Sequence, residues 1–224
     1  MPGGGYIMGK SRKSSVEAKH DILVAARRLF KEHGYGNTTL QMIADELGIA
    51  QGTLGYHFSN KYKIANALFK GYIARLYKHI EANMPAGCNT YQYYLTVGFA
   101  FWREIMKDES VRDLYFEKDL VAIWDSDYMG EYEKKFRDIA QDFKKELSDE
   151  DIHMASVIEI GAVPRIYKEY ATSDGAMSVD RFCYYQGYLT GALVNLDEAM
   201  IKKNLARVFE ILDSMPPFES FSFD

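Results

Sequence analysis

The chain has 224 residues, 47% of them hydrophobic and 26% charged, which is ordinary for a folded protein of one or two domains. Its net charge of −5 excludes a protein that binds nucleic acid through overall positive charge. No stretch approaches the roughly 18 uninterrupted apolar residues of a membrane span, and no apolar secretory core is present near Met1, so the sequence predicts a cytoplasmic protein with no membrane partner.

The charge is unevenly distributed along the chain. Residues 1–63 carry nine Lys or Arg against five Asp or Glu, whereas the remainder carries 18 against 27. A basic head on an acidic body allows one end of the molecule to meet phosphates. Within that head, residues 1–14 predict a flexible basic arm, with an ordinary soluble tail as the open alternative. The basic side chains of the arm are Lys10, Arg12 and Lys13.

The first helical pattern runs from Ser15 to His33. Its apolar residues recur at the spacing of one buried helix face, and they are Ile22, Ala25, Ala26, Leu29 and Phe30. Gly34 follows, and glycine readily adopts the left-handed conformation that ends a helix. The sequence therefore predicts that the first helix stops at this glycine.

Two short helices follow and meet at a glycine. Thr38 or Thr39 caps the first of them, and Thr38 with Gln41 has the spacing of a capping box. Gly48 ends it, and the next helix covers 51–57. Two short helices joined by such a turn predict a helix-turn-helix unit, which lays its second helix in the DNA major groove.

A longer helix is predicted from the cap candidates Ser59 and Asn60 to Asn83. Every later periodic stretch also has helical spacing, so the predicted fold class is all-α. The later helices are predicted at about Tyr91–Lys107, Val111–Trp124, Tyr128–Leu147, Asp149–Tyr170, Val179–Asn195 and Glu198–Ser214, followed by a loose tail from Pro216.

The N-terminal residues resemble the DNA-binding part of TetR-family transcriptional repressors. The matching residues are Ile22–Ala26, Leu29–Phe30, Gly34–Tyr35, Thr38–Thr39, Ile43–Ala44, Gly48, Gly52-Thr53-Leu54, Phe58 and Lys61. The resemblance implies a three-helix helix-turn-helix DNA-binding domain over residues 15–63. It also implies a helical ligand-binding and dimerisation domain over residues 64–224.

Candidate DNA contacts lie on the second and third helices. Gln51 begins the recognition helix and its amide can pair bidentately with an adenine edge, while Gly52 lets the backbone come close to a base or sugar. Gln41 matches a position that often reaches a base. The positions at which the family makes phosphate or groove contacts are Thr39, Thr53, Tyr56, His57 and Lys61.

Each of these assignments has a simpler alternative. Gln51 can be a solvated helix start, His57 can pack beside Phe58, and Lys61 can be a surface lysine of the first turn. One residue departs from the family pattern, because Gly55 stands where a tyrosine is usual. Glycine inside a helix costs about 1 kcal/mol relative to alanine, and the usual tyrosine contact is lost.

Aromatic residues are dense between positions 91 and 132. Such residues are often simply core, but tyrosine and tryptophan also supply the polar groups that a ligand cavity needs. The resemblance favours a cavity for a small-molecule effector. Its candidate lining is Tyr94, Trp102, Tyr115, Phe116, Trp124 and Tyr128.

The segments 149–170 and 179–195 place small residues among large apolar ones. The small residues are Ala155, Gly161, Ala162, Gly187, Gly191 and Ala192. Such residues permit close approach of helices, either within one chain or across a two-fold four-helix interface. The resemblance favours the second reading, a homodimer.

No catalytic, metal or cofactor motif accompanies these patterns, so the sequence predicts no enzyme and no cofactor. The predicted function is a ligand-responsive repressor, a homodimer that binds a pseudo-palindromic double-stranded operator and is released by a small-molecule effector. The open alternative is a helical ligand-binding or scaffold protein with weakened DNA binding.

Overall fold

The computed structural model describes residues 14–107, 111, 112, 115 and 118–218, with the side chains of 118–127 left out. Over these residues the fold is all-α, as the sequence predicts. Four helices form the N-terminal part: α1 (Ser15–Asn37), α2 (Leu40–Leu47), α3 (Gln51–His57) and α4 (Lys61–Asn83). Five more follow: α5 (Thr90–Ile105), α6 (Lys118–Asp142), α7 (Asp149–Ala171), α8 (Val179–Leu193) and α9 (Glu198–Ser214).

The chain divides into two compact units, one ending at Leu68 and the other beginning at Phe69. Helix α4 therefore contributes its first residues to the first unit and the remainder to the second. Among the described residues, no helix combines the length and the low polarity that crossing a bilayer requires.

Helix α1 begins at a capping box and bends at a glycine. The Ser14 hydroxyl accepts a hydrogen bond from the Glu17 amide, and the Glu17 carboxylate accepts one from the Ser14 amide. Gly34 has φ 77°, a left-handed conformation that costs glycine little. One helical turn continues beyond it to Asn37, so the predicted stop is a kink instead of an end.

The predicted capping box from Thr38 to Gln41 is wrong. Thr38 is buried, and its hydroxyl donates to the carbonyl oxygens of Leu29 at 3.1 Å and Gly34 at 2.8 Å. Thr39, the second candidate, caps α2 by accepting a hydrogen bond from the Met42 amide at 3.1 Å. Thr38 thus closes the bent end of α1, which local spacing does not reveal.

The first unit has a small apolar core contributed by all its helices. Its fully buried side chains include Ile22, Phe30, Ile43, Leu54 and Ile64. Gly48 closes α2 in the left-handed conformation with φ 62°, which turns the chain directly into α3. The core therefore fixes α3 by one face only, through Leu54.

In the second unit the predicted break between residues 124 and 128 is absent. One helix, α6, runs through these positions and ends at Asp142, five residues before the predicted Leu147. Beyond it, Lys144 has φ 52° and the Lys145 amide donates to the Ala140 carbonyl at 2.8 Å. This bond pattern closes a helix end without a glycine.

The start of the C-terminal tail is packed, contrary to the predicted loose segment. The Phe218 ring lies 5.5 Å from the Tyr72 ring and 5.0 Å from the His79 ring, between centroids. A ring nitrogen of His79 lies 3.0 Å from the Pro216 carbonyl oxygen. Residues 216–218 therefore cover part of α4 in the second unit.

Candidate nucleic-acid interface and ligand cavity

Helix α3 packs into the core through one apolar side chain and has a polar outer surface. Leu54 is fully buried, whereas Gln51, Gly52 and Thr53 are exposed and Tyr56 is 84% exposed. Because only one side chain of this seven-residue helix is buried, most of the helix surface is available to a partner. Gln51, Gly52, Thr53 and Tyr56 are also among the residues that the sequence predicts to contact DNA.

At the start of α2 the two candidate contacts are exposed but already bonded. The Thr39 oxygen accepts the capping bond from Met42, which leaves its hydroxyl hydrogen available to an acceptor such as a phosphate. The Gln41 side-chain amide donates to the Asp45 carboxylate at 2.6 Å. A base contact by Gln41 therefore requires this local bond to be given up or shared.

His57 and Lys61 are half-buried, unlike the residues of the outer surface of α3. The His57 ring packs edge-on against the Tyr56 ring at 5.2 Å, and its buried Nδ1 has no hydrogen-bond partner among the described residues. The Lys61 ammonium donates to the carbonyl oxygens of Tyr35 at 2.5 Å and Gly36 at 3.3 Å. Lys61 therefore holds the end of α1 and is not a simple surface lysine.

Several candidate residues fall outside what the structure describes. Lys10, Arg12, Lys13 and Phe116 lie outside the described residues. Trp124 lies within α6, but its side chain is not described. The basic arm and these two aromatic positions therefore remain predictions from the sequence.

The second unit contains a partly open cavity of about 190 Å³. Four candidate aromatics lie in its wall: Tyr94, Trp102, Tyr115 and Tyr128. Tyr77, Phe99, Phe101 and Tyr132 add further rings, and Ile73, Leu76, Leu95, Val97, Ile160, Val163 and Pro164 add apolar surface. Helices α4 to α8 all contribute, which is why residues far apart in sequence meet here.

The polar tip of Tyr94 is committed to a protein partner. Its hydroxyl donates to the Asp138 carboxylate at 2.5 Å, and the Lys134 ammonium donates to the same carboxylate oxygen at 2.5 Å. Burial alone raises the pKa of Asp138, but these two hydrogen bonds outweigh it and lower the pKa. Tyr94 therefore contributes its ring to the cavity more readily than its hydroxyl.

Sequence reasoning missed the charged and amide groups in the cavity wall. The Lys135 ammonium donates to the Glu159 carboxylate at 2.6 Å, with only 14% and 1% of the two side chains exposed. Burial lowers the pKa of Lys135, although Glu159 acts in the opposite direction. Gln186 also lines the cavity and is 8% exposed. No sequence spacing connects these residues, because they lie on three different helices.

An apolar stripe is exposed along α7. Met154 is 46% exposed, Ile158 is 44% exposed, and Val157 and Gly161 lie on the same side at helical spacing. On α8, Tyr185 is 42% exposed. Contiguous exposed apolar side chains of this kind are typical of surfaces that bind another protein.

The small residues of α7 and α8 divide between this surface and the core. Gly161 and Ala192 are exposed, but Gly187 and Gly191 are buried. A Cβ atom on Gly187 would lie 2.6 Å from Leu205 and one on Gly191 would lie 2.6 Å from the Tyr91 hydroxyl. The two buried glycines therefore serve close packing within one chain, which corrects their assignment to a dimer interface.

Within the described residues, no group of three or more His, Cys, Asp or Glu side chains is arranged to hold a metal ion. Two features of the described residues bear on function. Helix α3 presents hydrogen-bonding side chains to a partner, and the cavity presents aromatic surface with a few buried polar groups.

Residues 22–68 match the family model described as bacterial regulatory proteins, tetR family. The chain is 34% identical over 68 residues to the transcriptional repressor AcnR of Corynebacterium efficiens, covering 30% of this chain and 36% of AcnR. It is 28% identical over 121 residues to the transcriptional activator FasR of Mycolicibacterium smegmatis, covering 54% of this chain and 55% of FasR. The matches thus span about a third to a half of these relatives, which are regulators and not enzymes.

A likeness in fold extends over most of the chain. The crystal structure of RolR in complex with resorcinol superimposes with a TM-score of 0.65 at 11% sequence identity. The superposition covers 93% of this chain and 98% of RolR. At this level of identity the likeness concerns the arrangement of helices.

Proposed function

Because residues 22–68 match the model of the tetR family of bacterial regulatory proteins, we propose that the chain is a cytoplasmic DNA-binding transcriptional repressor of this family. It acts as a homodimer on a pseudo-palindromic operator and is released by a small molecule. The observation that carries the proposal is the outer surface of α3, where exposed polar side chains surround one buried anchor, Leu54. Such a helix fits the major groove.

Reading of the operator falls to the first residues of α3. The Gln51 amide pairs with an adenine edge, offering one donor and one acceptor. Gly52 allows the helix start to approach the DNA closely, and among the described residues no atom beyond its chain neighbours and the local helix backbone lies within 4 Å of a Cβ built there. Thr53 and Tyr56 donate to phosphate oxygens, which positions the helix without reading sequence.

The effector occupies the cavity of the second unit. The wall combines aromatic surface with a few buried polar groups, as ligand sites usually do, and RolR, which shares the fold, was crystallised with resorcinol. A ligand changes DNA binding only if it prefers one conformation of the protein. Helix α4 transmits that preference, because its residues belong to both units.

The homodimer forms through the exposed apolar stripe on α7 together with the neighbouring surface of α8. A two-fold pairing buries the same stripe of both subunits, including Met154 and Ile158. Two recognition helices then reach successive major grooves about 34–36 Å apart. The pairing supplies this spacing, and a ligand that alters it weakens binding.

Repression and activation use the same parts, and the relatives include AcnR, a repressor, and FasR, an activator. We favour repression because a dimer that occupies a promoter needs no further contact to block transcription. Transcription in vitro from the chain's own upstream region tests this. Repression predicts less transcript as protein is added and recovery on addition of an effector, whereas activation predicts the reverse.

One observation favours a second candidate, a helical ligand-binding protein with weakened DNA binding. Gly55 removes a side chain from the exposed surface of α3. Fluorescence anisotropy with labelled duplexes from the upstream region and with scrambled duplexes, at several salt concentrations, separates the two. The proposed regulator binds its own site at least about 10³-fold more tightly than scrambled DNA. Equal affinity for both duplexes at every salt concentration would establish the alternative.

A further inference from the structure

The volume and the wall of the cavity suit a ligand with one aromatic ring. An engineered apolar cavity of about 150 Å³ takes up benzene, and the cavity here measures about 190 Å³. Its rings already pair with each other edge to face, as in Trp102 and Tyr115 at 5.2 Å and Phe101 and Tyr115 at 5.3 Å. An added aromatic ring continues this packing, and one ring fits within this volume.

The charges of the wall oppose an anionic ligand. Lys135 is the cation in the described wall, and its ammonium is bonded at 2.6 Å to Glu159, which is 1% exposed. The same ammonium lies 4.5 Å from the centre of the Tyr132 ring. A ligand carboxylate would have to compete with Glu159 for this cation, and two buried carboxylates beside one ammonium leave a net negative charge in a poorly solvated site.

Gln186 supplies the polar group that a ligand can use. Only 8% of this residue is exposed, and its side-chain oxygen is buried without a hydrogen-bond partner among the described residues. A buried acceptor without a hydrogen-bond partner raises the free energy of the folded protein. A ligand donor that bonds to it removes this cost, so the bond contributes more to affinity than a bond to an exposed acceptor. The terminal amide turns about χ3 over a broad, soft torsion, which brings its oxygen toward a ligand in the cavity that it lines.

We propose that the cavity selects neutral, single-ring aromatic molecules that carry a hydrogen-bond donor, with phenols as the simplest class, and that Gln186 accepts the hydrogen bond from the ligand hydroxyl. The aromatic wall holds the ring, and the closed Lys135–Glu159 pair excludes carboxylates. This assignment rests on the proposed ligand response, since it names the chemistry of the effector.

Three probes of similar size test the selectivity of the purified full chain by isothermal titration calorimetry: 4-ethylphenol, 4-ethyltoluene and 4-ethylbenzoate. We expect 4-ethylphenol to bind about tenfold more tightly than 4-ethyltoluene, which replaces the hydroxyl by a methyl group, and 4-ethylbenzoate to bind at least tenfold more weakly than the phenol. Equal affinity for the phenol and the toluene, or tight binding of the benzoate, would overturn the proposal.

The variant Gln186→Leu tests whether Gln186 is the residue that bonds to the ligand hydroxyl. Gln186→Leu preserves side-chain size and removes an amide oxygen that has no hydrogen-bond partner among the described residues, so the protein should remain folded. It should lower the affinity for 4-ethylphenol about tenfold and leave that for 4-ethyltoluene within about twofold. Gln141→Leu, the same substitution at an exposed position of α6, is the matched control. An equal loss for both probes would mean that Gln186 only packs. If Gln186→Leu does not fold, the wild-type comparison of probes still decides the ligand class.

Operator binding measured with the same probes separates this inference from the proposed function. If 4-ethylphenol binds but leaves operator affinity unchanged, the ligand class stands and ligand-controlled release fails. If a different small molecule releases the operator while none of the three probes binds, release stands and the ligand class is wrong.

Discussion

At the scale of single residues, two glycines of α3 invite a direct comparison. A Cβ atom added to Gly52 or Gly55 meets no atom of the described residues within 4 Å beyond its chain neighbours and the local helix backbone. Alanine at either position should therefore raise the free energy of unfolding by about 1 kcal/mol, because glycine is a poor helix former. We expect Gly52→Ala to weaken operator binding as well, since its methyl group lies where the backbone meets DNA, while Gly55→Ala leaves binding unchanged.

Urea unfolding and fluorescence anisotropy measure the two effects on the same preparations. Gly55→Ala serves as the control, because its position ordinarily carries a large side chain in the family. If Gly52→Ala binds the operator as tightly as the wild type, close approach of the backbone at Gly52 is not part of DNA recognition.

Gln51 is the residue whose loss should change sequence preference. It is exposed at the first position of α3, where its amide can reach a base. Gln51→Ala should reduce discrimination at one operator position by about 1–3 kcal/mol. Binding to duplexes carrying each base pair in turn measures this. A uniform loss on all duplexes would instead assign Gln51 to backbone contact.

Lys61 should show two separable effects. Its bonds to the carbonyls of Tyr35 and Gly36 stabilise the end of α1, so Lys61→Met should lower the free energy of unfolding by about 1–3 kcal/mol. If the Lys61 ammonium also reaches a phosphate, the salt dependence of DNA binding in the variant should fall by about one unit of slope. Lys63→Met, at an exposed lysine of the same turn, is the control. An unchanged slope with lowered stability would restrict Lys61 to a structural role.

At this scale the sequence predicted the features that depend on neighbouring residues and missed those that depend on distant ones. The glycine after α2 and the threonine cap at Thr39 follow from neighbouring residues alone, and the structure has both. The hydrogen bonds of Thr38 and Lys61 join residues nine and 26 positions apart. Such contacts arise only once helices pack, so local spacing cannot give them.

At the scale of helices, the buried glycines of α8 control how closely it packs against its neighbours. A Cβ atom on Gly187 would lie 2.6 Å from Leu205 and 2.7 Å from Phe99. Gly187→Ala should therefore lower the free energy of unfolding by about 1–3 kcal/mol through overpacking. Gly130→Ala on α6, where no described side chain lies within 4 Å of the added Cβ, should raise the free energy of unfolding slightly. Urea unfolding of both variants measures the difference, and a stabilised Gly187→Ala would show that the neighbouring side chains yield without cost.

Helix existence was easier to predict than helix boundaries. The predicted helices leave a break between Trp124 and Tyr128, and the residues in between are of types that favour helix caps. The chain nevertheless stays helical there, and Tyr128, Phe136 and Ile139 continue one buried face along α6. The same limit applies to the cavity. Aromatic density pointed to Tyr94, Trp102, Tyr115 and Tyr128, whereas Lys135, Glu159 and Gln186 meet only through packing.

At the scale of the whole molecule, operator binding should depend on pairing of two chains. Ile158 is 44% exposed in the apolar stripe of α7. Burial of such a side chain at an interface stabilises the dimer in proportion to the apolar area that is buried. Ile158→Glu places a charge where the proposed interface excludes water, so the dimer should dissociate. Sedimentation velocity should show a single chain instead of two.

Loss of the dimer should lower operator affinity more than loss of any single DNA contact does. A dimer binds two half-sites through one linked event, whereas separate subunits bind each half-site independently and more weakly. Ile158→Glu should therefore lower operator affinity by at least about 10²-fold and leave the helical content unchanged. Ala199→Glu, which adds the same charge at an exposed position of α9, should change neither mass nor affinity. If Ile158→Glu remains a dimer with full affinity, the stripe on α7 is not the interface, and the spacing of the recognition helices must come from another surface.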